Sequence, residues 1–310
     1  MKLSQIKRLY KEFGPEIAFS AAGASRFRSL APWKHRCILR YLREAYAPLI
    51  AQYQQGPKGA DRSDSQAPGT IWTVWWQGED NLPEVVRLCH ASVRRHCGDH
   101  PFKVLTQANY QEYVTLPGCV MEKFQAGAIT ITHLSDIIRF ALLSQYGGLW
   151  LDSTVFVADR IPEDIFTAEY YTVRRALTPR NRNVAQDRWT NFLHAGQKGN
   201  VLSCFVFDFF IEYWKTQPHL IDYFLIDYAI ELAYEELLEC KKLLDAVPIC
   251  EDDLYRLEDI MNKEWNPSVF ESIRTSALFS KLAWRKNGRK KILGKETIYG
   301  HLLALAEAMS

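Results

Sequence analysis

The stretch SDIIRFALLSQYGGLWLDSTVFV, Ser135 to Val157, constrains the fold more than any other part of the chain. A helix-spaced apolar segment runs to Tyr146, two glycines interrupt it, and a short apolar run then ends at Asp152. Ser135 has the chemistry of a helix N-cap, and Gly147-Gly148 suits a helix stop because glycine adopts the left-handed conformation there. The LWLDSTV segment reads as a strand: Leu149 and Leu151 share one face, Trp150 takes the other, and Asp152 falls at the end. A carboxylate in that place is the first candidate for function, since α/β sheets bind ligands beyond the carboxyl ends of their strands.

The flanking sequence extends the same alternation. TIWTVWWQG favours a strand through its Ile, Val, Thr and Trp residues, with a turn at Gln77-Gly78. LPEVVRLCHASVRRHC follows as a helix with Pro83 near its start, and FKVLT as a second strand. Strand and helix alternating in this way predict an α/β fold with a mostly parallel sheet flanked by helices. From about residue 200 the pattern turns helix-rich. The aromatics of CFVFDFFIEYWK are read as core packing. Residues 1–51 also read as helical, with Ile38, Leu39, Leu42, Tyr46 and Ile50 at helical spacing. QQGPKGADRSDSQAPGT is nearly empty of large apolar residues and reads as a linker or long loop. These patterns predict a helical N-terminal extension with linker over residues 1–68 and an α/β domain over residues 69–310.

Charge is unevenly placed. Residues 1–48 hold ten Lys and Arg against three Glu, and Lys281–Lys295 holds seven basic residues and no acid. Basic ends suit an anionic surface, such as a lipid leaflet or a pyrophosphate-bearing acceptor. No nucleic-acid motif accompanies them, so nucleic acid is not expected as a partner. No run is apolar enough to span a membrane and no signal peptide is visible. The seven cysteines are scattered without a C-x-x-C, which points to reduced thiols and a cytoplasmic location.

The chemistry concentrates near Asp152. Asp136 and Arg139 lie three apart, so they emerge on one helix face, as a surface ion pair or as a grip on sugar hydroxyls. Asp152 is able to hold a divalent cation (Mn or Mg) as one of few protein ligands, with Ser153 and Thr154 adding hydroxyls. His133 reads as a packing or capping residue. His194 and His301 sit in no ligand-spaced cluster.

SDIIRFALLSQYGGLWLDSTV resembles the signature of capsular-polysaccharide-synthesis glycosyltransferases, related to glycosyltransferase family 32. The likeness extends from IWTVWWQGEDNLP through RWTNFLHAGQKGN and LIDYFLIDY to SKLAW, roughly residues 69–300. It implies a GT-A fold and transfer of a sugar, with retained anomeric configuration, from a nucleotide donor that is usually linked to UDP. It further implies that Trp76, with Gln77 and Gly78, meets the nucleotide, and that Asp136 and Arg139 grip the donor sugar. Asp152 matches the first acid of the family's D-x-D motif, whereas Thr154 stands where the second acid is usual, leaving the metal one acid fewer. Lys281, with Arg285 near it, then becomes a supplementary cation for the departing diphosphate. Asp227 is the later carboxylate to watch in catalysis, and Asn191 and Asn200 are candidates for the acceptor cleft. The implied partners are a nucleotide sugar and a growing surface or capsular glycan, free or lipid-linked, reached from the inner face of the membrane by peripheral contact.

Two other readings compete. LWLDSTV also resembles the entry motif of aspartyl-phosphate phosphotransferases, with Asp152 attacking phosphorus and Asp252 and Asp253 supplying metal ligands. A non-catalytic sugar-nucleotide-binding partner of a polysaccharide assembly complex would keep Trp76 and the basic ends without turnover.

Overall fold

The computed structural model describes residues 1–56, 69–178, 181–286 and 288–308; most of the segment read as a linker lies outside them. Three helices lead: α1 (Leu3–Arg26), α2 (Ala31–Ala45) and α3 (Ala47–Gln54). α1 bends at Gly14, whose φ of 86° precedes Pro15, a residue that cannot donate to the helical ladder. α2 and α3 each carry a proline in the first turn, where the missing N–H costs nothing.

The sheet region begins with β1 (Ile71–Val74), followed by α4 (Glu84–His96), β2 (Phe102–Leu105), α5 (Gly118–Gln125) and α6 (Ile131–Gln145). Next come β3 (Gly148–Leu151), β4 (Val155–Val157), α7 (Glu163–Thr167), β5 (Tyr170–Tyr171) and β6 (Leu193–Gly196). Helices α8 (Val201–Thr216), α9 (Leu225–Glu236) and α10 (Leu238–Ala246) precede β7 (Phe279–Lys281). Helices Pro267–Arg274 and Ile298–Glu307 flank the last part of the chain.

Among the described residues the main sheet has the order β2-β1-β3-β6-β5. β1 runs parallel to β2 and β3, whereas β3–β6 and β6–β5 are antiparallel. The sheet is therefore mixed: β2, β1, β3 and β5 run one way and β6 runs against them, so the expected parallel sheet is interrupted by one strand. A short apolar run states that a strand is buried but not which way it runs, and LHAG of β6 carried no directional cue.

The alternation read in LWLD is present in three dimensions. Leu149 and Leu151 pack with Ile71, Val155 and Phe279 on one face, while Trp150 packs with Phe140, Phe209 and Phe210 on the other. The helical face of that second core includes the N-terminal helices, since Phe13, Ile38, Leu42 and Ile50 share it with Phe205 and Tyr228. Tyr53 donates to Asp208 at 2.7 Å, and Arg43 pairs with Glu235 and Glu236, tying α2 and α3 to α8 and α9. Burying each such aliphatic side chain is worth about 1.5–3 kcal/mol, so α1–α3 are held by core burial more than by their surface ion pairs.

The glycine pair is required by the turn. Gly147 and Gly148 have φ of 70° and 95°, and a Cβ on Gly148 would lie 2.2 Å from the Thr70 carbonyl oxygen. This close approach lets β3 start beside β1 immediately after α6 ends. One capping expectation needs correction: α6 begins a turn earlier than read. Thr130 is its N-cap, accepting from the His133 amide at 3.2 Å, and Ser135 lies inside the helix. The cysteines are free thiols, and among the described residues no helix is long and apolar enough to cross a membrane.

Candidate active site

Asp152 sits one residue beyond β3, with its amide donating to the Phe192 carbonyl at 2.9 Å. Each of its oxygens accepts from a fixed donor, and the side chain keeps 29% of its surface exposed. Oδ1 accepts from Arg139 Nη2 at 3.1 Å and Trp150 Nε1 at 3.0 Å, and Oδ2 accepts from Lys281 Nζ at 2.8 Å. Burial pushes this carboxyl up, but the Lys281 ammonium and the Arg139 guanidinium outweigh burial and hold it down at about 2. Asp152 is therefore a permanent anion at neutral pH.

Arg139 links the two acids. Its Nη2 lies 3.2 Å from Asp136 Oδ1 as well as 3.1 Å from Asp152, and its guanidinium stacks 4.9 Å from the Trp150 ring centre. Asp136 and Arg139 are 8% and 3% exposed, so this is no surface pair. Their one-face spacing on α6 aims both at the end of β3. His133 packs beneath, accepting from Trp214 Nε1 at 2.9 Å.

Lys281 arrives from far along the chain. β7 pairs antiparallel with β4, placing Lys281 opposite Val155. Its Nζ donates at 2.8 Å to Thr154 Oγ1 as well as to Asp152. The two outer positions of the D-x-T motif thus converge on one ammonium. Ser153, by contrast, donates to the Val74 carbonyl at 2.8 Å and lies 3.0 Å from Thr73, so its hydroxyl ties β1 to the site.

The protein side chains alone do not cage a divalent metal; an ion here would have one carboxylate, Asp152, shared with Lys281, and would draw its other ligands from water and phosphate oxygens. Such an ion takes several oxygen ligands, and the site offers one carboxylate, both of whose oxygens accept from fixed donors. Asp136 is separated from it by Arg139. Among the described residues no group of three or more His, Cys, Asp or Glu is placed to hold a metal, so Asp252 and Asp253 assemble no such site with Asp152 either.

The remaining sequence candidates divide. Trp76 is 7% exposed and packs against Tyr110 and Phe124, with ring centres 5.2 and 5.4 Å away. Gln77 is exposed, and Gly78 turns the chain with φ of 90°. Trp75, which sequence reasoning passed over for its neighbour, stands edge-on to Trp284 at 6.0 Å, just beyond Lys281. Adjacent tryptophans after a strand must face opposite ways, and that alternation was the available signal. Asn200 does not line a cleft: it is fully buried and caps α8, accepting from the Leu202 and Ser203 amides. His194 is buried beside Tyr170 at 2.7 Å, where burial keeps it neutral, and His301 stacks on Trp265.

Asp227 and Asn191 do come together. Asp227, 6% exposed, accepts from Asn191 Nδ2 at 2.7 Å and Trp189 Nε1 at 3.0 Å. Burial pushes its carboxyl up to about 6 in spite of these hydrogen bonds, and the Asp136 charge adds to the rise. All three residues line a cavity of about 540 Å³. That cavity abuts the Asp152 centre, because Phe192 and Leu254 also line it and their carbonyls accept from the Asp152 and Lys281 amides.

The chain matches the family of capsular polysaccharide synthesis proteins over residues 25–302, which takes in α2 and α3 as well as the sheet region. It is similar to the O-glycosyltransferase PaGT of Phomopsis amygdali, 32% identical over 91 residues, or 26% of this chain and 22% of that protein. Among solved structures it is similar to the PaToxG glycosyltransferase, at 14% identity over 77% of this chain and 96% of the other. The TM-score there is 0.38, too low to bear on the fold.

Proposed function

The chain belongs to the capsular polysaccharide synthesis protein family, and from that premise we propose that it is a glycosyltransferase moving a sugar from a nucleotide donor to a glycan acceptor. The observation that carries this reading is the unbroken chain of charges Asp136–Arg139–Asp152–Lys281 at the carboxyl end of β3. A sugar presents hydroxyls and a diphosphate presents concentrated negative charge, and this centre has a carboxylate–guanidinium pair for the one and a fixed ammonium for the other.

Breaking the bond between sugar and diphosphate leaves negative charge on the nucleotide and positive character at the anomeric carbon. Lys281 is the group that meets the departing diphosphate, and preorganised charge in a partly dry site stabilises such a transition state without reorganisation. Asp152 and Thr154 aim the ammonium, and Arg139 keeps Asp152 oriented. Arg285, four residues on and stacked over Trp284, is a second cation for the phosphates. Asp136 and Arg139 bind the donor sugar, and the aromatic group at the end of β1, Trp75 and Trp284 with Trp76 behind, offers a face for the base. We take the donor to be UDP-linked, the fold to be of the GT-A type and the transfer to retain configuration, with Asp227 as the carboxylate facing the anomeric centre. The acceptor would be a surface or capsular oligosaccharide, lipid-linked and reached by peripheral contact of the basic ends with an anionic leaflet.

The test is binding and hydrolysis across a panel of UDP-, GDP- and dTDP-sugars, for the wild type and Asp152→Ala. Turnover of one donor that is lost in the variant supports the reading, and no binding of any nucleotide sugar refutes it.

A further inference from the structure

The cavity beside Asp152 has two chemically different zones. Its floor is suited to a sugar ring: the Asp227 carboxyl, the Asn191 amide and the Trp189 indole meet there. Asn191 Oδ1 and Thr190 Oγ1 are buried at this floor without a hydrogen-bond partner. Buried polar atoms are normally satisfied, so these two leave capacity for bound hydroxyls. Two aromatic rings line the mouth, Phe224 at 50% and Tyr255 at 43% exposure, surfaces on which the C–H face of a sugar can lie.

The rim is cationic, and much of it comes from outside the sheet region. Arg28, just before α2, and Lys34 in its first turn line the cavity together with Arg175 and Arg182. Lys34 pairs with Asp222 at 2.9 Å. Among the described residues the three arginines have no carboxylate partner; the only side-chain bond of Arg182 is a long one, 3.5 Å to the Ser29 carbonyl. The acids lining the cavity are Asp187 and Asp227. With Lys34 taken up by Asp222, three arginines face two carboxyls, an imbalance that an uncharged sugar does not answer.

We propose that this cavity is the acceptor subsite and that the acceptor residue it receives is a negatively charged sugar, bearing a carboxylate or a phosphate. The inference rests on the transfer reading above and adds the class of acceptor. Donor phosphates are met by Lys281 on the far side of Phe192 and Leu254, which leaves the Arg28 and Arg182 rim for a second anion. It also gives α2 a function: the helix supplies one wall of the acceptor site, in keeping with a family match that begins at residue 25.

The experiment is ligand-observed NMR on the full chain with three probes: methyl glucuronide, glucose 6-phosphate and uncharged methyl glucoside. Either charged probe is expected to bind at least tenfold more tightly than methyl glucoside, with a preference that falls as salt is raised. The Arg28→Ala/Arg182→Ala double variant is expected to lose that preference, and the corresponding double lysine variant to keep part of it, with thermal melting confirming that both fold. Equal affinity for charged and uncharged probes, no binding of any of them, or a preference untouched in the double variant overturns the proposal. UDP-sugar binding measured in the same samples separates the two readings. If UDP-sugar binds while the charge preference is absent, the acceptor class fails and the transfer reading stands. If the preference is present and no nucleotide sugar binds, the cavity stands as an anionic-sugar site and the transfer reading fails.

Discussion

Asp152 is half-buried and Asp227 buried at the same cleft, and their surroundings give them opposite chemistry. Asp152 accepts from two cations and an indole and is held down at about 2. Asp227 accepts only from a neutral amide and a neutral indole and is pushed up to about 6. The first is a fixed anion whose work is to orient cations. The second titrates in a range where it can serve as an anion above pH 6 and as a proton carrier below it. Residue type does not separate these roles. What separates them is the company brought by β7 and α6 to one aspartate and by the segment leading into β6 to the other.

The contrast can be broken from its stronger side first. Asp152→Ala leaves Arg139 and Lys281 without their shared anion, and turnover is expected to fall on the order of 10³-fold. Arg139 keeps Asp136 and Lys281 is partly exposed, so the midpoint in urea should fall by less than the about 3–5 kcal/mol that a buried charge with no partner costs. Lys281→Ala removes the ammonium but leaves Asp152 its guanidinium, so kcat should fall on the order of 100-fold with a smaller loss of stability.

Asp227→Asn sharpens the other side. Wild-type activity should decline as pH falls through about 6, and that limb should be absent from whatever activity the variant retains. Stability gives an independent check with a definite sign. Because the folded-state carboxyl is raised, its stabilising contribution is full below the ordinary carboxylate range and is lost as pH rises through about 6. Relative to Asp227→Asn, the wild type should lose about 3 kcal/mol between pH 3.5 and 7, read from urea melts. The smallest effect belongs to an exposed pair distant from both acids. Glu84→Ala breaks the 2.7 Å contact with Lys290 and should change stability by less than about 1 kcal/mol, with kcat unaffected.

Local features were legible in the chain and distant pairings were not. The glycine pair, the inside–outside alternation of Leu149, Trp150 and Leu151, and the shared face of Asp136 and Arg139 all follow from period and from glycine's conformational range. Each depends only on residues a few positions apart. The antiparallel course of β6 was hidden because burial patterns carry no strand direction. The contact of Lys281 with Asp152 spans 129 residues and depends on the β4–β7 register, which no local rule supplies. Lys281 was named from its motif, but that its ammonium bridges Asp152 and Thr154 was not readable. Asn200 misled because an asparagine beside a glycine-rich loop serves a helix cap as readily as a cleft. The amphipathic face of α2 was plain. That this helix also walls the cavity, through Lys34 and the Arg28 just before it, depends on where it docks, and periodicity does not say what an apolar face packs against.

The most direct measurement of the central claim, that Lys281 on the Asp152–Thr154 platform does the work a metal would do, is donor turnover in excess EDTA. Wild type and Lys281→Ala would be compared with and without added manganese. The expected result is wild-type turnover indifferent to chelation and a variant that is impaired in both conditions. Wild-type turnover abolished by EDTA and restored by manganese contradicts it.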